Sequence, residues 1–162
     1  MEKTEWLSEL NESALVYNQI NDAIIGAAYV PLAGWVAVYD SDMIIEILID
    51  DMSKYNQDND KEQVYLDALE YYEFNILNSW IGECTPLFTF VLDDMDFVND
   101  LICDMKIGTI KPKTIKKIVY QPCHGNYFLL TKEELDDYCV ISGINHTDDS
   151  IKDILIYEEY QK

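Results

Sequence analysis

The fold class is decided at residues 35–52, which read WVAVYDSDMIIEILIDDM. Residues 35–39 are apolar and rich in side chains that favour β structure, which is typical of a short buried strand. The Asp-Ser-Asp triplet at 40–42 predicts a helix N-cap, because short polar side chains accept the free backbone N–H groups of a first helical turn. Isoleucine and leucine then recur at helical spacing. We therefore predict a strand that leads directly into a helix at about 42–52.

The rest of the N-terminal part is predicted to be mainly helical. Apolar spacing predicts helices at about 4–24, 61–80 and 93–105, and a β-type run predicts a strand at 87–92. The uncharged residues 23–39 contain two glycines and a proline. We interpret them as buried strands or a turn and not as a membrane span. The chain is thus expected to have an α+β fold.

Apolar spacing also assigns the inward face of two of these helices. In the helix at 42–52 the residues predicted to face inward are Ile44, Ile45, Leu48 and Ile49. In the helix at 61–80 they are Leu66, Leu69, Tyr72 and Ile76.

The composition changes after residue 105. Residues 1–105 contain 22 acidic residues and 3 lysines, whereas residues 106–131 contain 5 lysines and no acidic residue. The segment 106–117 carries all five of these lysines together with a glycine and a proline, which is typical of an exposed connection. We therefore divide the chain into an acidic helix-rich module at 1–105 with short strands, a basic connection at 106–117, and a small hairpin–helix module at 118–162.

The C-terminal module is predicted to be a small α+β unit. Short strands at 118–120 and 127–130 are expected to form a β-hairpin. Thr131 and Glu134 have the spacing of a capping box, which predicts a helix to about Ser142. The last residues fit a terminal helix or a strand, and we favour a short turn of helix followed by a strand.

The charge of the chain restricts its partners. It contains 31 acidic residues against 11 basic ones, for a net charge of −20. Such a field repels duplex DNA and anionic membranes and attracts cationic surfaces. We therefore expect no direct binding to nucleic acid or membrane, and a basic protein surface as the partner. The alternative is that the charge only keeps the protein in solution.

The acidic residues repeat at helical spacing along three predicted helices. Such rows bring like charges to about 5–6 Å and cost about 0.2–0.5 kcal/mol per pair, so a sequence shaped only for stability would place lysines among them. We therefore predict that the rows form a partner-binding face, with aromatic side chains as anchors. The predicted partner-binding residues are Asp42, Glu46, Asp50, Asp67, Glu70, Glu73, Asp96, Asp100, Asp104, Tyr55, Tyr65 and Tyr71.

Catalytic motifs give no support for an enzyme. The sequence has no glycine-rich phosphate loop, no GxSxG elbow and no HExxH helix, so we expect no catalytic residue, no metal and no cofactor. Two alternatives remain open. A zinc site or a Cys-His nucleophile pair would draw on Cys123, His124, Cys139 and His146. A hard-cation site would draw on Asp93, Asp94 and Asp96.

The four cysteines form no CxxC pair, and residues 1–12 have no apolar stretch typical of a signal peptide. We therefore expect reduced thiols and a cytoplasmic protein.

Residues 70–88, EYYEFNILNSWIGECTPLF, resemble a motif of small phage and prophage proteins, in which an EFN triplet precedes an aromatic residue, Gly-Glu and Thr-Pro. Residues 36–48 look like the segment that accompanies this motif. The resemblance covers about 36–92 and implies a phage or mobile-element protein, but it assigns no catalytic residue. The motif also has a structural interpretation, in which Gly82 ends a helix and Pro86 fixes the chain beyond it.

A phage origin and a DNA-repelling surface together predict an inhibitor of a host defence nuclease in the host cytoplasm. It would be similar in logic to acidic anti-CRISPR and anti-restriction proteins, with carboxylate rows in place of phosphates on a basic groove. One alternative is a non-enzymatic phage structural or regulatory protein that binds a basic protein or self-associates. Another is a minor enzyme that uses Cys123 or Cys139.

Overall fold

The structure is a computed structural model of the 162-residue chain. It describes residues 1–55, 60–91, 115–121, 126–135, 138–144 and 151–162. The helical elements are α1 (Lys3–Leu10), a 3-10 helix (Asn18–Ala23), α2 (Ser41–Tyr55), α3 (Lys61–Tyr72) and a π-helical turn (Glu73–Leu77) that continues α3. The strands are β1 (Ile24–Val30), β2 (Gly34–Asp40), β3 (Leu87–Val91), β4 (Ile115–Gln121), β5 (Asn126–Leu135), β6 (Tyr138–Ile144) and β7 (Ile151–Glu159).

Seven strands in the described part of the chain form a closed barrel in sequential order. All neighbouring pairs are antiparallel except β2 and β3, which are parallel. A parallel pair needs a crossover connection, and α2 and α3 lie in that connection. The α+β fold class predicted from the sequence is confirmed.

Two hydrophobic cores lie on the two sides of the sheet. Val36 and Val38 of β2 belong to the core inside the barrel, together with residues of β1, β3, β4 and β7. Ala37 and Tyr39 alternate with them and pack outward against the helices, as expected for a strand whose side chains point to opposite faces. The helical layer therefore covers one part of the barrel wall.

The start of α2 confirms the predicted strand–helix junction. The Asp40 carboxylate accepts the backbone N–H groups of Asp42 at 3.1 Å and Met43 at 3.3 Å. An N-cap of this kind pairs donors that the first helical turn leaves free. The predicted strand before this junction and the predicted helix after it are both present.

The predicted single helix over residues 4–24 is wrong. Helix α1 ends at Leu10, and Asn11 has an extended backbone. The Asn11 side-chain amide donates to the backbone carbonyls of Trp35 at 2.7 Å and Ala33 at 3.3 Å, which ties it to the β1–β2 hairpin. These long-range bonds compete with helix continuation, and Ile24 begins a strand instead.

The predicted helix from Thr131 to Ser142 is also wrong. Most of this segment lies in β5 and β6, and Thr131 is paired with Ile115 of β4 and with Val140 of β6. Pairing on both sides satisfies the backbone of these strands, so the local capping-box signal does not decide the structure. The predicted C-terminal hairpin and the predicted final strand are both present.

Other sequence predictions lie outside the described residues. These are the helix at 93–105 and most of the basic connection at 106–117, so the proposed division of the chain stays a prediction. Strand β7 pairs with β1, so the C-terminal strands share a sheet with the N-terminal ones. Among the described residues, no helix combines the length and the apolar character needed to cross a membrane.

Candidate partner-binding surface

The predicted acidic row on α2 lies on the solvent side of that helix. Asp42, Glu46 and Asp50 are exposed, whereas Ile44 and Leu48 are buried. Glu46 is two residues from each of these buried residues, which corresponds to about 200° around an α-helix. The carboxylate row therefore points away from the core.

Helix α3 buries a face that differs in part from the face predicted from apolar spacing. Its buried stripe is Val64, Ala68 and Tyr72, and Ile76 continues the stripe in the π-helical turn. Leu66, predicted to face inward, is 49% exposed. The predicted assignment of Leu66 to the core is therefore wrong.

A buried hydrogen bond holds α3 in this orientation. The hydroxyls of Tyr72 and Ser41 are 2.6 Å apart, and both residues are almost fully buried. The Tyr72 ring also packs edge-on against Phe88 at 6.1 Å between centroids, and Phe88 stacks on Tyr39 at 5.9 Å. Tyr72 thus links α3 to the first residue of α2 and to the barrel wall, and Ala68 is buried in the same core cluster as Ile44 and Leu48 of α2.

Burial also keeps the core tyrosines neutral. Desolvation raises the pKa of Tyr72 well above its usual value, and it outweighs the hydrogen bond from Ser41, which acts in the opposite direction. Desolvation likewise raises the pKa of Tyr39, whose hydroxyl oxygen accepts the backbone N–H of Tyr17 at 3.0 Å. In the fold both hydroxyls therefore lose their protons at a higher pH than an exposed tyrosine does.

The predicted acidic row on α3 is also on the solvent side. Glu70 and Glu73 are exposed, and Glu70 lies midway between buried Ala68 and Tyr72. Asp67 is half-buried, and its carboxylate accepts a hydrogen bond from the Gln63 side-chain amide at 2.7 Å.

Helices α2 and α3 and the π-helical turn together carry eight acidic residues and two lysines. Between two described residues there is a single ion pair, from Lys54 to Asp51 at 3.2 Å, and both side chains are exposed. Exposed pairs of this kind contribute about 0–1 kcal/mol. The helix pair therefore keeps a strongly negative outer surface.

The three tyrosines predicted as anchors are all exposed. Tyr55 at the end of α2 is 82% exposed, and Tyr65 and Tyr71 on α3 are 47% and 41% exposed. The prediction missed Phe74, which is 74% exposed in the π-helical turn. Phe74 is the central residue of the EFN triplet, so the signal was present in the motif that carried the resemblance.

The remainder of that motif has a structural role. Gly82 has a φ of 147°, a backbone conformation that favours glycine. The buried Thr85 hydroxyl donates to the Gly82 carbonyl at 2.5 Å and accepts the Ile81 N–H at 3.2 Å. The Asn75 side chain donates to the Tyr71 carbonyl at 3.1 Å. These bonds shape the end of α3 and the loop that leads to β3.

The remaining candidate residues are those of the third acidic row and of the alternative metal and nucleophile sites. Asp93, Asp94, Asp96, Asp100, Asp104, Cys123, His124 and His146 lie outside the described residues. Cys139 lies in β6. The described residues contain no group of three or more His, Cys, Asp or Glu side chains arranged to hold a metal ion.

Comparison with known proteins gives no relative for this arrangement. No protein-family model, curated protein or solved structure matches the chain.

Proposed function

We propose that this chain is a phage or mobile-element inhibitor of a host defence nuclease, anti-CRISPR-like in its action, that occupies the enzyme's basic nucleic-acid groove. The observation that carries the proposal is the pair of carboxylate rows on the outer faces of α2 and α3. Both rows lie on the side of their helix opposite a buried stripe, and five of their six carboxylate residues are exposed. The wider charge of the chain, −20, favours a cationic partner over nucleic acid.

The rows are held by a packed layer. The Ser41–Tyr72 hydrogen bond and the aromatic contacts behind it fix α3 against α2 and the barrel. Carboxylates that are already in place lose less conformational freedom on binding than carboxylates on a mobile segment. A fixed negative face also accelerates the encounter with a basic groove.

The charge density of the rows is lower than that of DNA. Carboxylates four residues apart repeat about every 6 Å along a helix, since each residue rises about 1.5 Å. Duplex DNA presents a negative charge about every 1.7 Å along its axis. The helix pair therefore replaces only some of the phosphates that a groove binds, and apolar contacts must supply part of the affinity.

The first test is capture from a low-GC bacterial lysate that contains a CRISPR effector, with the tagged chain as bait. We expect a nuclease to be retained at low salt, to be lost at high salt and to be displaced by added DNA. Recovery of no nuclease, or of one that DNA does not displace, would overturn the proposal.

A matched pair of bait variants separates the rows from general charge. Glu46→Lys with Asp50→Lys reverses two positions of the α2 row. Glu9→Lys with Glu12→Lys makes the same change in net charge at exposed positions in and just after α1. The proposal predicts that only the first double variant loses the nuclease. Equal loss from both would assign the binding to net charge alone.

One observation also favours a second candidate, a non-enzymatic structural or regulatory phage protein with a basic or self-associating partner. Leu66 on α3 and Phe74 in the π-helical turn are apolar and exposed, and exposed apolar surface is common at protein–protein interfaces. Recovery of a basic viral protein, or of a second copy of the chain, in place of a nuclease would support this candidate.

A further inference from the structure

The outer face of α3 alternates acidic and apolar side chains. Glu62, Leu66, Glu70 and Phe74 follow one another at four-residue intervals, and all four are exposed. Residues four apart are neighbours on an α-helix. Leu66 therefore lies next to Glu62 and Glu70 on α3, and Phe74 follows in the π-helical turn that continues this helix.

The core does not need these apolar residues. The opposite side of α3 already supplies Val64, Ala68 and Tyr72 to the buried stripe. A surface helix normally keeps its large apolar residues inward and its polar residues outward. Here small Ala68 is inside, while Leu66 and Phe74 are outside.

A second exposed aromatic residue lies near the C-terminal end of the stripe. Tyr71 lies one residue after Glu70, and its exposed ring is within one helical turn of Phe74. Glu73, also exposed, lies between these two aromatic residues in the sequence. The end of α3 therefore presents aromatic faces and carboxylates side by side.

We propose that this end of α3 binds arginine side chains of the partner in preference to lysine side chains. A guanidinium group is planar and weakly hydrated, so it can stack on an aromatic ring while its N–H groups donate to a carboxylate. A lysine ammonium is compact and strongly hydrated, and it cannot make both contacts in the same way. Phe74 and Tyr71 supply the rings, and Glu70 and Glu73 supply the carboxylates. The inference rests on the proposed function only for the identity of the partner as a basic protein.

Charge complementarity selects this occupant over others. A phosphate group or an anionic lipid would be repelled by the eight acidic residues of the helix pair and π-helical turn. A second copy of the chain, docked through the same face, would place these carboxylates against each other. An arginine-bearing surface satisfies both the charge and the aromatic rings.

The test uses the full chain and two labelled peptides that alternate glycine with arginine or with lysine and carry equal charge. Fluorescence anisotropy measures both affinities at low and at physiological ionic strength. We expect the arginine peptide to bind about two- to fivefold more tightly, the range typical of an exposed cation–π contact. Equal affinities for the two peptides would overturn the inference.

Two variants locate the preference. Phe74→Leu combined with Tyr71→Leu keeps apolar side chains but removes both rings, and we expect this double variant to abolish the preference without weakening the lysine peptide. Tyr29→Leu removes an exposed ring on β1 and should leave the preference unchanged. A preference that survives the loss of both Tyr71 and Phe74 rings would contradict the assignment to this face. Circular dichroism of each variant checks that the fold is retained.

The outcomes separate this inference from the proposed function. An arginine preference without capture of a nuclease would support the inference and contradict the nuclease proposal. Capture of a nuclease without an arginine preference would support the nuclease proposal and contradict the inference.

Discussion

Replacing the buried hydroxyl of Tyr72 tests whether the buried contacts of α3 determine which of its residues are exposed. The Tyr72 and Ser41 hydroxyls are 2.6 Å apart, and each residue is about 1% exposed. Within the described residues, the Ser41 hydroxyl has no other hydrogen-bond partner. The variant Tyr72→Phe therefore leaves a buried hydroxyl unpaired.

The expected magnitude follows from this burial. An unpaired buried polar group costs about 1–3 kcal/mol, and we expect a loss of unfolding free energy in this range for Tyr72→Phe and for Ser41→Ala. The double variant removes both polar groups, so it should lose less than the sum of the two single variants. We expect a coupling energy of about 1 kcal/mol.

Urea denaturation measures the unfolding free energy of the wild type, the two single variants and the double variant. An unchanged dependence of this free energy on urea concentration shows that the same transition is compared. Additive losses, within about 0.3–0.5 kcal/mol, would show that the two hydroxyls do not depend on each other. In that case the proposed orientation of α3 would lack its main polar determinant.

Three further predictions concern the core. Stability should fall as the pH rises above about 10, because Tyr39 and Tyr72 have raised pKa values in the fold and release their protons more readily when unfolded; each contributes up to about 1.4 kcal/mol per pH unit. Urea denaturation at a series of alkaline pH values checks this. If the unfolding free energy of Tyr72→Phe fell with pH as steeply as that of the wild type, the prediction would be contradicted. Ala68→Leu should lower the unfolding free energy by about 1–3 kcal/mol by overpacking the core between α2 and α3. Leu66→Ala should change the unfolding free energy by less than about 0.5 kcal/mol. A larger loss of thermal stability for Leu66→Ala than for Ala68→Leu would show that Leu66 is buried, as the sequence predicted. Gly26→Ala should destabilise the barrel by about 1–3 kcal/mol or more, because a Cβ there would lie 2.5 Å from a tyrosine ring of β7, and a wild-type melting temperature would refute that packing.

Local signals predicted the N-terminal strand–helix junction well. The cap at Asp40 needs only its own carboxylate and the next backbone N–H groups. The apolar run before it and the helical spacing after it agree with the cap. Where cap, spacing and composition agree, the sequence is sufficient to predict the element.

Long-range contacts explain where the sequence was misleading. The end of α1 is set by bonds from Asn11 to the β1–β2 hairpin, which lie more than twenty residues away along the chain. Likewise, Thr131 lies in a strand because β4 and β6 flank it. Neither partner can be deduced from the local pattern, so helical spacing and a capping box gave the wrong element.

The candidate surface was predicted in part. Five of the six carboxylate residues in the two described rows are exposed, as expected for charged residues at helical spacing, and Asp67 is half-buried. The apolar component was missed, because Leu66 fits the helical spacing of a buried face as well as Val64 does. The buried stripe is the one that carries the Ser41–Tyr72 hydrogen bond and places Ala68 in the same core cluster as Ile44 and Leu48.

The most direct test of the central claim is the inhibition of DNA cleavage by the captured nuclease, titrated with three proteins. These are the wild-type chain, the variant with Glu46→Lys and Asp50→Lys, and the control with Glu9→Lys and Glu12→Lys. We expect the wild type and the control to inhibit cleavage equally, excess DNA to relieve the inhibition, and the α2 row variant not to inhibit. Inhibition by the row variant at wild-type concentrations would contradict binding through the α2 row.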